Sequence, residues 1–332
     1  MMDIINDYIS YIKNVRRFSP RTVAIYEGVL KDYLAFAFRE GEIPSEDGFI
    51  DSLNKSEIRQ YETMLLDSKP AKSPRTVNLH LSALSGFCRF LIKKGKLCSN
   101  PVDLVPKPKV EKRIPQFFGR EAMGEYFDNT SYILDADAFR IFALEWETKN
   151  GKSYYEGLLE RLIISTLYSL GIRRAELIGL LVGDVDFGRN VVKVRGKGDK
   201  MREIPLVISL SEEILLYLKA VEAMCGGKRS LKEPLFVTYK GTPLYPAYVD
   251  RAVKSALGDV SSIRGRKSPH ALRHSLATEL MNEDTDLYSI KELLGHSSLA
   301  ATQVYTHSSI ARLKTIYKRA HPRAKNGGKH GD

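Results

Sequence analysis

Four residues near the end of the chain could carry chemistry together. His270 and Arg273 lie in Ser268-Pro-His-Ala-Leu-Arg-His, His296 in Leu294-Gly-His, and Tyr305 in Thr302-Gln-Val-Tyr-Thr-His. They read as a phosphate-binding pocket with a tyrosine nucleophile at its edge. Breaking and rejoining a phosphodiester without metal or ATP sets clear demands. Attack on phosphorus builds negative charge on the non-bridging oxygens, so the site needs preorganised multi-donor cations, which arginine provides better than lysine. It also needs a nucleophile that can hold the phosphate covalently and a proton donor for the departing oxygen. A tyrosine pKa near 10 leaves about one molecule in a thousand ionised at pH 7, a deficit of about 4 kcal/mol that neighbouring cations and a base must offset.

The elements that would position these groups can be read in the surrounding sequence. His270 and Arg273 stand i and i+3 on one helix, and Ser268-Pro269 starts it, which puts the pair in a first turn where the helix dipole favours an anion. Upstream, Gly171-Ile-Arg173-Arg174-Ala-Glu176-Leu places a second arginine at a helix start, with Glu176 three residues on to orient it. Because Arg173 and Arg174 adjoin, the spacing to Glu176 selects Arg173. Val191-Val-Lys-Val-Arg and Arg202-Glu-Ile-Pro-Leu flank Gly196-Lys-Gly-Asp-Lys-Met, a β-hairpin whose glycine-rich turn carries Lys197 as a mobile amine and Lys200 as a DNA-contact candidate. Leu235-Phe-Val-Thr reads as a third strand, Leu158 to Ser169 as an apolar helix, and Gly295 as a helix C-cap before His296. His270 and His274 have the i, i+4 spacing of helical zinc sites, but no glutamate lies between them, so no metal is expected.

The first third of the chain reads as helices, from Ile4, Ile5, Tyr8, Ile9 and Ile12 to Leu79, Leu84, Phe87, Phe90 and Leu91. Ser-Pro-Arg-Thr-Val occurs twice, at 19–23 and 73–77, each time opening an apolar-periodic segment with serine at N-cap and proline at N1. A helix start carrying Arg21 or Arg75 and a threonine hydroxyl is also a ready phosphate contact. Cys98 to Phe118 interleaves prolines with lysines and Arg113 and reads as a basic linker; 107–118 is the segment assigned to it. Between Phe118 and Tyr154, Asn129-Thr-Ser-Tyr and Thr148-Lys-Asn-Gly-Lys read as loops of an insertion. The domains expected are 1–106, helical; 119–323, mostly helical with a small sheet; and 324–332, a polar tail.

A chain of 332 residues, 43% hydrophobic, can bury a real core, and its net charge of +11 favours a polyanionic partner through counterion release. No apolar run approaches a membrane span, and the N-terminus lacks the pattern of a signal peptide. Cys88, Cys98 and Cys225 form no C-x-x-C pair, so neither a zinc site nor a disulfide framework is expected, and a reducing cytoplasm fits best.

Arginine in Gly-Ile-Arg-x-x-Glu-Leu, lysine in Gly-Lys-Gly-Asp-Lys, His-x-x-Arg-His, Leu-Gly-His and Tyr-Thr-His follow one another in the order of the tyrosine recombinase (phage integrase) family. The chain most resembles the Xer recombinases, over nearly its whole length. That resemblance implies a mainly α fold with a small β-sheet, a helical-bundle core-binding domain plus an α/β catalytic domain clamping duplex DNA. It implies that Arg173 and Arg273 bind the scissile phosphate, Lys197 protonates the leaving 5′-hydroxyl, His270 handles the tyrosine proton, His296 bonds the phosphate and Tyr305 forms a 3′-phosphotyrosyl link. Because that link conserves the bond energy, no cofactor is implied. The implied partners are double-stranded DNA, a tetramer of this chain alone or with a paralogous recombinase, and a DNA translocase at the division septum. The implied role is resolution of chromosome dimers during partition and cell division. The ending Tyr317-Lys-Arg-Ala-His-Pro-Arg-Ala resembles the family's C-terminus, which docks on a neighbouring subunit. A mobile-element integrase of the same family and a non-catalytic DNA-binding regulator are the alternative readings.

Overall fold

A computed structural model of the chain describes residues 2–38, 45–111, 117–196, 199–258, 260–263 and 265–282, and beyond these only 290, 293, 294, 315 and 323. The chain divides into two compact units, Met1–Arg113 and Ile114–Asp332.

In the first unit, helix α1 (Met2–Ser10) runs into a π-helical turn, Tyr11–Val15, and is followed by α2 (Pro20–Ala37), α3 (Glu46–Ser52), α4 (Lys55–Asp67) and α5 (Pro74–Lys93). The α5 residues Val77, Leu81, Leu84, Phe87 and Leu91 keep helical spacing and are buried with Leu30, Tyr33, Phe49 and Tyr61. Both repeated segments start helices as their sequence requires: Ser19 and Ser73 are N-caps, each accepting the N–H of Thr22 or Thr76 at 3.2 Å. The threonine hydroxyls bond back to the serine hydroxyls at 2.8 and 2.9 Å, so these groups already serve the caps. Past α5, Pro101–Leu104 forms a 3₁₀ turn, and Val102 and Val105 are buried in this unit's core.

The second unit contains α6 (Arg120–Asn129), α7 (Ala136–Glu145), α8 (Lys149–Leu170), α9 (Arg174–Ile178), strands β1 (Val185–Asp186), β2 (Val191–Arg195) and β3 (Met201–Pro205), then α10 (Ile208–Cys225), α11 (Pro246–Ala256) and α12 (Pro269–Asn282). Helix α8 packs against α7, α10, α11 and α12. It is buried all round from Arg161 to Leu170, as an axial helix must be. It begins earlier than the apolar run suggests, because Thr148 caps it by accepting the Gly151 N–H at 3.1 Å; Thr148-Lys-Asn-Gly-Lys is therefore a helix start, not a loop. A β-carbon on Gly151 would fall 2.3 Å from the Glu145 carbonyl oxygen, which is why a glycine sits inside this first turn.

The sheet is antiparallel in the order β1-β2-β3, with Val192 opposite Ile204 and Val194 opposite Arg202. The hairpin is where the sequence places it, but the third strand is β1 and not Leu235–Thr238. Among the described residues that segment and the proline before it make only isolated bridges, Pro234 to Leu181 and Val237 to Pro243, and each involves a proline, which has no N–H with which to extend a ladder. Among the described residues no helix is long and apolar enough to cross a membrane.

Gly171 closes α8 in the left-handed region at φ +58°. A β-carbon there would lie 2.8 and 2.9 Å from the Leu294 and Leu276 side chains. Gly171→Ala is therefore expected to cost about 1–3 kcal/mol of stability in urea unfolding of the full chain. A loss below about 0.5 kcal/mol would mean that the turn relaxes freely.

Candidate active site

Arg173 is the N-cap of α9, and Glu176, three residues on, reaches back to it: one carboxylate oxygen accepts the Arg173 backbone N–H at 2.8 Å and the other accepts its guanidinium at 2.8 Å. This is half of a capping box, with a glutamate at N3 satisfying the cap donor. The neighbouring Arg174 turns away and pairs with Asp250, so the spacing to Glu176 selects the right arginine.

The second face of Glu176 is occupied by Arg202, which the sequence reading did not single out. Its two terminal nitrogens donate to the two carboxylate oxygens at 3.1 and 2.8 Å, a bidentate fork, and its Nε donates to the Leu293 carbonyl at 3.0 Å. The available signal was positional. Arg202 shares a face of β3 with Ile204, both buried, and a charge at an inward strand position demands a partner. Gly196, which precedes Lys197 in the chain, lies against this pair: a β-carbon on it would meet Arg202 Nη1 at 3.5 Å and Glu176 Oε1 at 3.9 Å.

Arg273, on α12, is buried and donates to the Gly171 carbonyl at 2.6 Å and to the Leu294 carbonyl. The loop that ends α8 and the segment just before His296 are thus tied to two of the site's arginines through backbone carbonyls. Burial, and then the nearby charge of Arg173, lower the Arg273 pKa to about 10, with Glu176 opposing and Arg202 reinforcing the shift. The group remains protonated at neutral pH, so cations that repel one another are held around a single carboxylate. Such a cluster favours an incoming anion.

His270 stands exposed on the same helix, its Nε2 3.0 Å from Nε2 of His274. One ring must donate and the other accept, so this contact requires that at least one Nε2 be bare. Among the described residues no group of three or more metal-ligating side chains assembles. Lys200 is exposed, and its carbonyl accepts the Gly196 N–H at 2.7 Å to close the hairpin. Arg21 and Arg75 are exposed at their helix starts in the other unit. Lys197, Gly295, His296 and Tyr305 lie outside the described residues. The structure therefore brings together Arg173, Glu176 and Arg273, and adds Arg202.

A cavity of about 1020 Å³ in the same unit lies apart from this cluster, lined in part by Phe127, Arg161, Glu213 and Arg323. Glu213 accepts from Arg161 at 3.2 Å and from Arg323 at 2.6 Å, so the described residue of the C-terminal ending contacts its own chain.

Comparison with known proteins agrees with this architecture. Residues 149–312 match the phage integrase family and residues 5–95 match the phage integrase N-terminal SAM-like domain. The tyrosine recombinase XerC of Chlorobaculum parvum is 33% identical over 96% of this chain and 94% of its own length. That of Halalkalibacterium halodurans is 34% identical over 97% of this chain and 100% of its own. Among solved structures, the XerH site-specific recombinase bound to its difH substrate shares the fold at TM-score 0.60 and 18% identity, over 98% of this chain and 85% of that one. The Tn1549 transposon integrase in complex with transposon right-end DNA does so at TM-score 0.60 and 19% identity, over 97% of each chain. The chain belongs to the phage integrase family and is a tyrosine recombinase, an enzyme of DNA strand transfer.

Proposed function

We propose that this chain is a site-specific recombinase of the Xer type, acting in the cytoplasm on duplex DNA as a tetramer, alone or with a paralogous recombinase. Arg173 and Arg273 hold the scissile phosphate, Tyr305 attacks it to form a 3′-phosphotyrosyl link, and Lys197 protonates the departing 5′-oxygen. His270 manages the tyrosine proton and His296 bonds a phosphate oxygen. Glu176 fixes Arg173, and Arg202 fixes Glu176. The observation that carries the reading is the convergence of Arg173, Arg202 and Arg273 around one buried carboxylate, an arrangement suited to an anion. The Xer assignment rests on XerC relatives that match along nearly the whole chain. Resolution of chromosome dimers, assisted by a septal DNA translocase, is the cellular role that goes with it.

The test incubates the full-length protein with nicked suicide duplexes carrying candidate sites and looks for a denaturant-resistant protein–DNA adduct. An adduct on one site and not on scrambled sequence is the expected result. Its absence on every candidate, with duplex binding retained, would favour a non-catalytic DNA-binding regulator. In the same assay, Arg273→Lys should slow adduct formation by about 100-fold while duplex affinity changes by less than about threefold. A lysine cannot hold two carbonyls and a phosphate with one planar group.

A further inference from the structure

Helix α12 carries a second imidazole, to which the reaction assigned above gives no part. His274 stands one turn after His270, with the two Nε2 atoms 3.0 Å apart and the ring planes at 78°. Helical side chains lean toward the N-terminus, so the ring at 274 reaches back to the ring at 270. The two rings are not equally free. His270 is exposed, whereas His274 is half-buried between two residues that fix the helix. Arg273 is tied to the Gly171 and Leu294 carbonyls, and Ser275 Oγ accepts the Phe118 N–H at 2.7 Å while donating to the Ala271 carbonyl at 2.9 Å. The better-held ring thus grips the one that does chemistry.

A hydrogen bond between two imidazole nitrogens needs one proton, and two arrangements supply it. If His274 donates, His270 carries its own proton on Nδ1 and its sole lone pair is already engaged, so nothing remains to take a phenolic proton. If His270 donates, its Nδ1 is bare. A proton arriving there makes an imidazolium whose Nε2–H bond to His274 is kept and becomes charge-assisted. Only this second arrangement survives the proton transfer. The logic is that of a nucleophile's base oriented by a third group, the part an aspartate plays in serine hydrolases. Here an imidazole suits the part better, because another carboxylate beside the arginine cluster would compete with the phosphate for its charge.

We infer that His274 is a positioning residue for the base: its bare Nε2 accepts the Nε2 proton of His270 and leaves Nδ1 as the nitrogen that works. The inference rests on the recombinase reading, in which His270 takes the tyrosine proton. As the Tyr305 oxygen bonds to phosphorus, its proton passes to His270 Nδ1; the bond from phosphorus to the 5′-oxygen breaks, and that oxygen takes its proton from Lys197. His274 neither gains nor loses a proton. It holds the ring in one tautomer and steadies the imidazolium.

The test compares full-length parent, His274→Phe, His274→Gln and His270→Phe, in buffer containing EDTA so that the paired imidazoles hold no stray metal. Single-turnover adduct formation on a suicide duplex and duplex affinity are measured for each. His274→Phe keeps a ring but no acceptor, and it should slow adduct formation about 10- to 100-fold with affinity within about twofold of the parent. His274→Gln offers a side-chain oxygen in place of Nε2 and should recover the rate to within about fivefold of the parent. Nitrogen shifts of histidine-labelled protein supply a readout that needs no variant to act, the His270 signals being those lost in His270→Phe. In the parent they should show Nε2 protonated and Nδ1 bare; in His274→Phe they should show a mixture of tautomers. A His274→Phe rate within about twofold of the parent, a His274→Gln rate no better than that of His274→Phe, or a bare Nε2 on parental His270 overturns the inference. A parent that forms no adduct, or a His270→Phe that forms it at the parental rate, is instead a failure of the recombinase reading of His270, and the spectra still decide which ring donates.

Discussion

Tyr305→Phe is expected to abolish the covalent protein–DNA adduct on a suicide substrate while leaving duplex affinity within about twofold of the parent. On the proposed assignment, the phenolic oxygen is the only atom lost and the only atom that bonds to phosphorus, so no residual rate should remain through the same route. The arginine cluster explains why a phenol can serve. A free tyrosine is ionised in about one molecule per thousand at neutral pH, a handicap of about 4 kcal/mol. Stabilisation of developing charge by one preorganised donor is typically about 3–4 kcal/mol, so two or three guanidinium groups suffice to offset it. Arg173 and Arg273 are both held by fixed partners, a carboxylate and two carbonyls, so little reorganisation is needed when the phosphate arrives. The check is denaturing electrophoresis of the trapped reaction, followed by peptide mapping of the parent adduct. An adduct of equal yield in Tyr305→Phe, or one mapped to another residue, would remove Tyr305 from the role.

The parts of this site that could be read in the sequence were those whose geometry is local. Arg173 and Glu176 are three residues apart at a helix start, and helical spacing alone brings a side chain back to its cap. Arg273 could be placed on its helix from Ser268-Pro269, but not its anchors, because Gly171 and Leu294 are distant in sequence. Arg202 went unnoticed for the same reason. Its partner is twenty-six residues upstream, and only its inward register on β3 hints that it needs one. The sheet shows the limit from the other side. Leu235-Phe-Val-Thr has the composition of a strand, and the neighbouring prolines, not its own residues, leave it without a ladder. Likewise the apolar run in α8 located its buried half but not its polar first turns, which the Thr148 cap adds.

Glu176 is the residue whose loss should damage both stability and chemistry. Its carboxylate is buried and joins Arg202 through a bidentate fork and Arg173 through two further bonds, so Glu176→Ala would leave buried guanidinium charge without its counterion. Breaking one side of a buried pair costs about 3–5 kcal/mol, a large part of the 5–15 kcal/mol by which a domain is ordinarily stable. Glu176→Ala is thus expected to lower the urea midpoint of the second unit's transition sharply. Replacing both Glu176 and Arg202 with apolar residues of similar volume should recover much of that loss, because the uncompensated charge goes with the pair. If the double variant is no more stable than the single, the cost lies in lost packing and not in charge. The pH dependence gives an independent reading. Burial alone would raise the Glu176 pKa, but the hydrogen bonds and charge of Arg202, joined by the bonds from Arg173, hold it below the ordinary glutamate value. Its folded pKa is therefore depressed. The stability it contributes is fully present above the unfolded pKa and is lost as pH falls through the lower, folded value. Stability measured from neutral pH down into this acid range should therefore fall less steeply in Glu176→Gln than in the parent. Equal slopes would mean that other carboxylates carry the acid sensitivity. The recombination defect should differ from the stability defect: Arg202→Lys, which keeps the charge but loses the fork, should slow adduct formation more than it lowers the unfolding midpoint, as expected if Arg202 acts on the phosphate only by holding Glu176, and through it Arg173, in place.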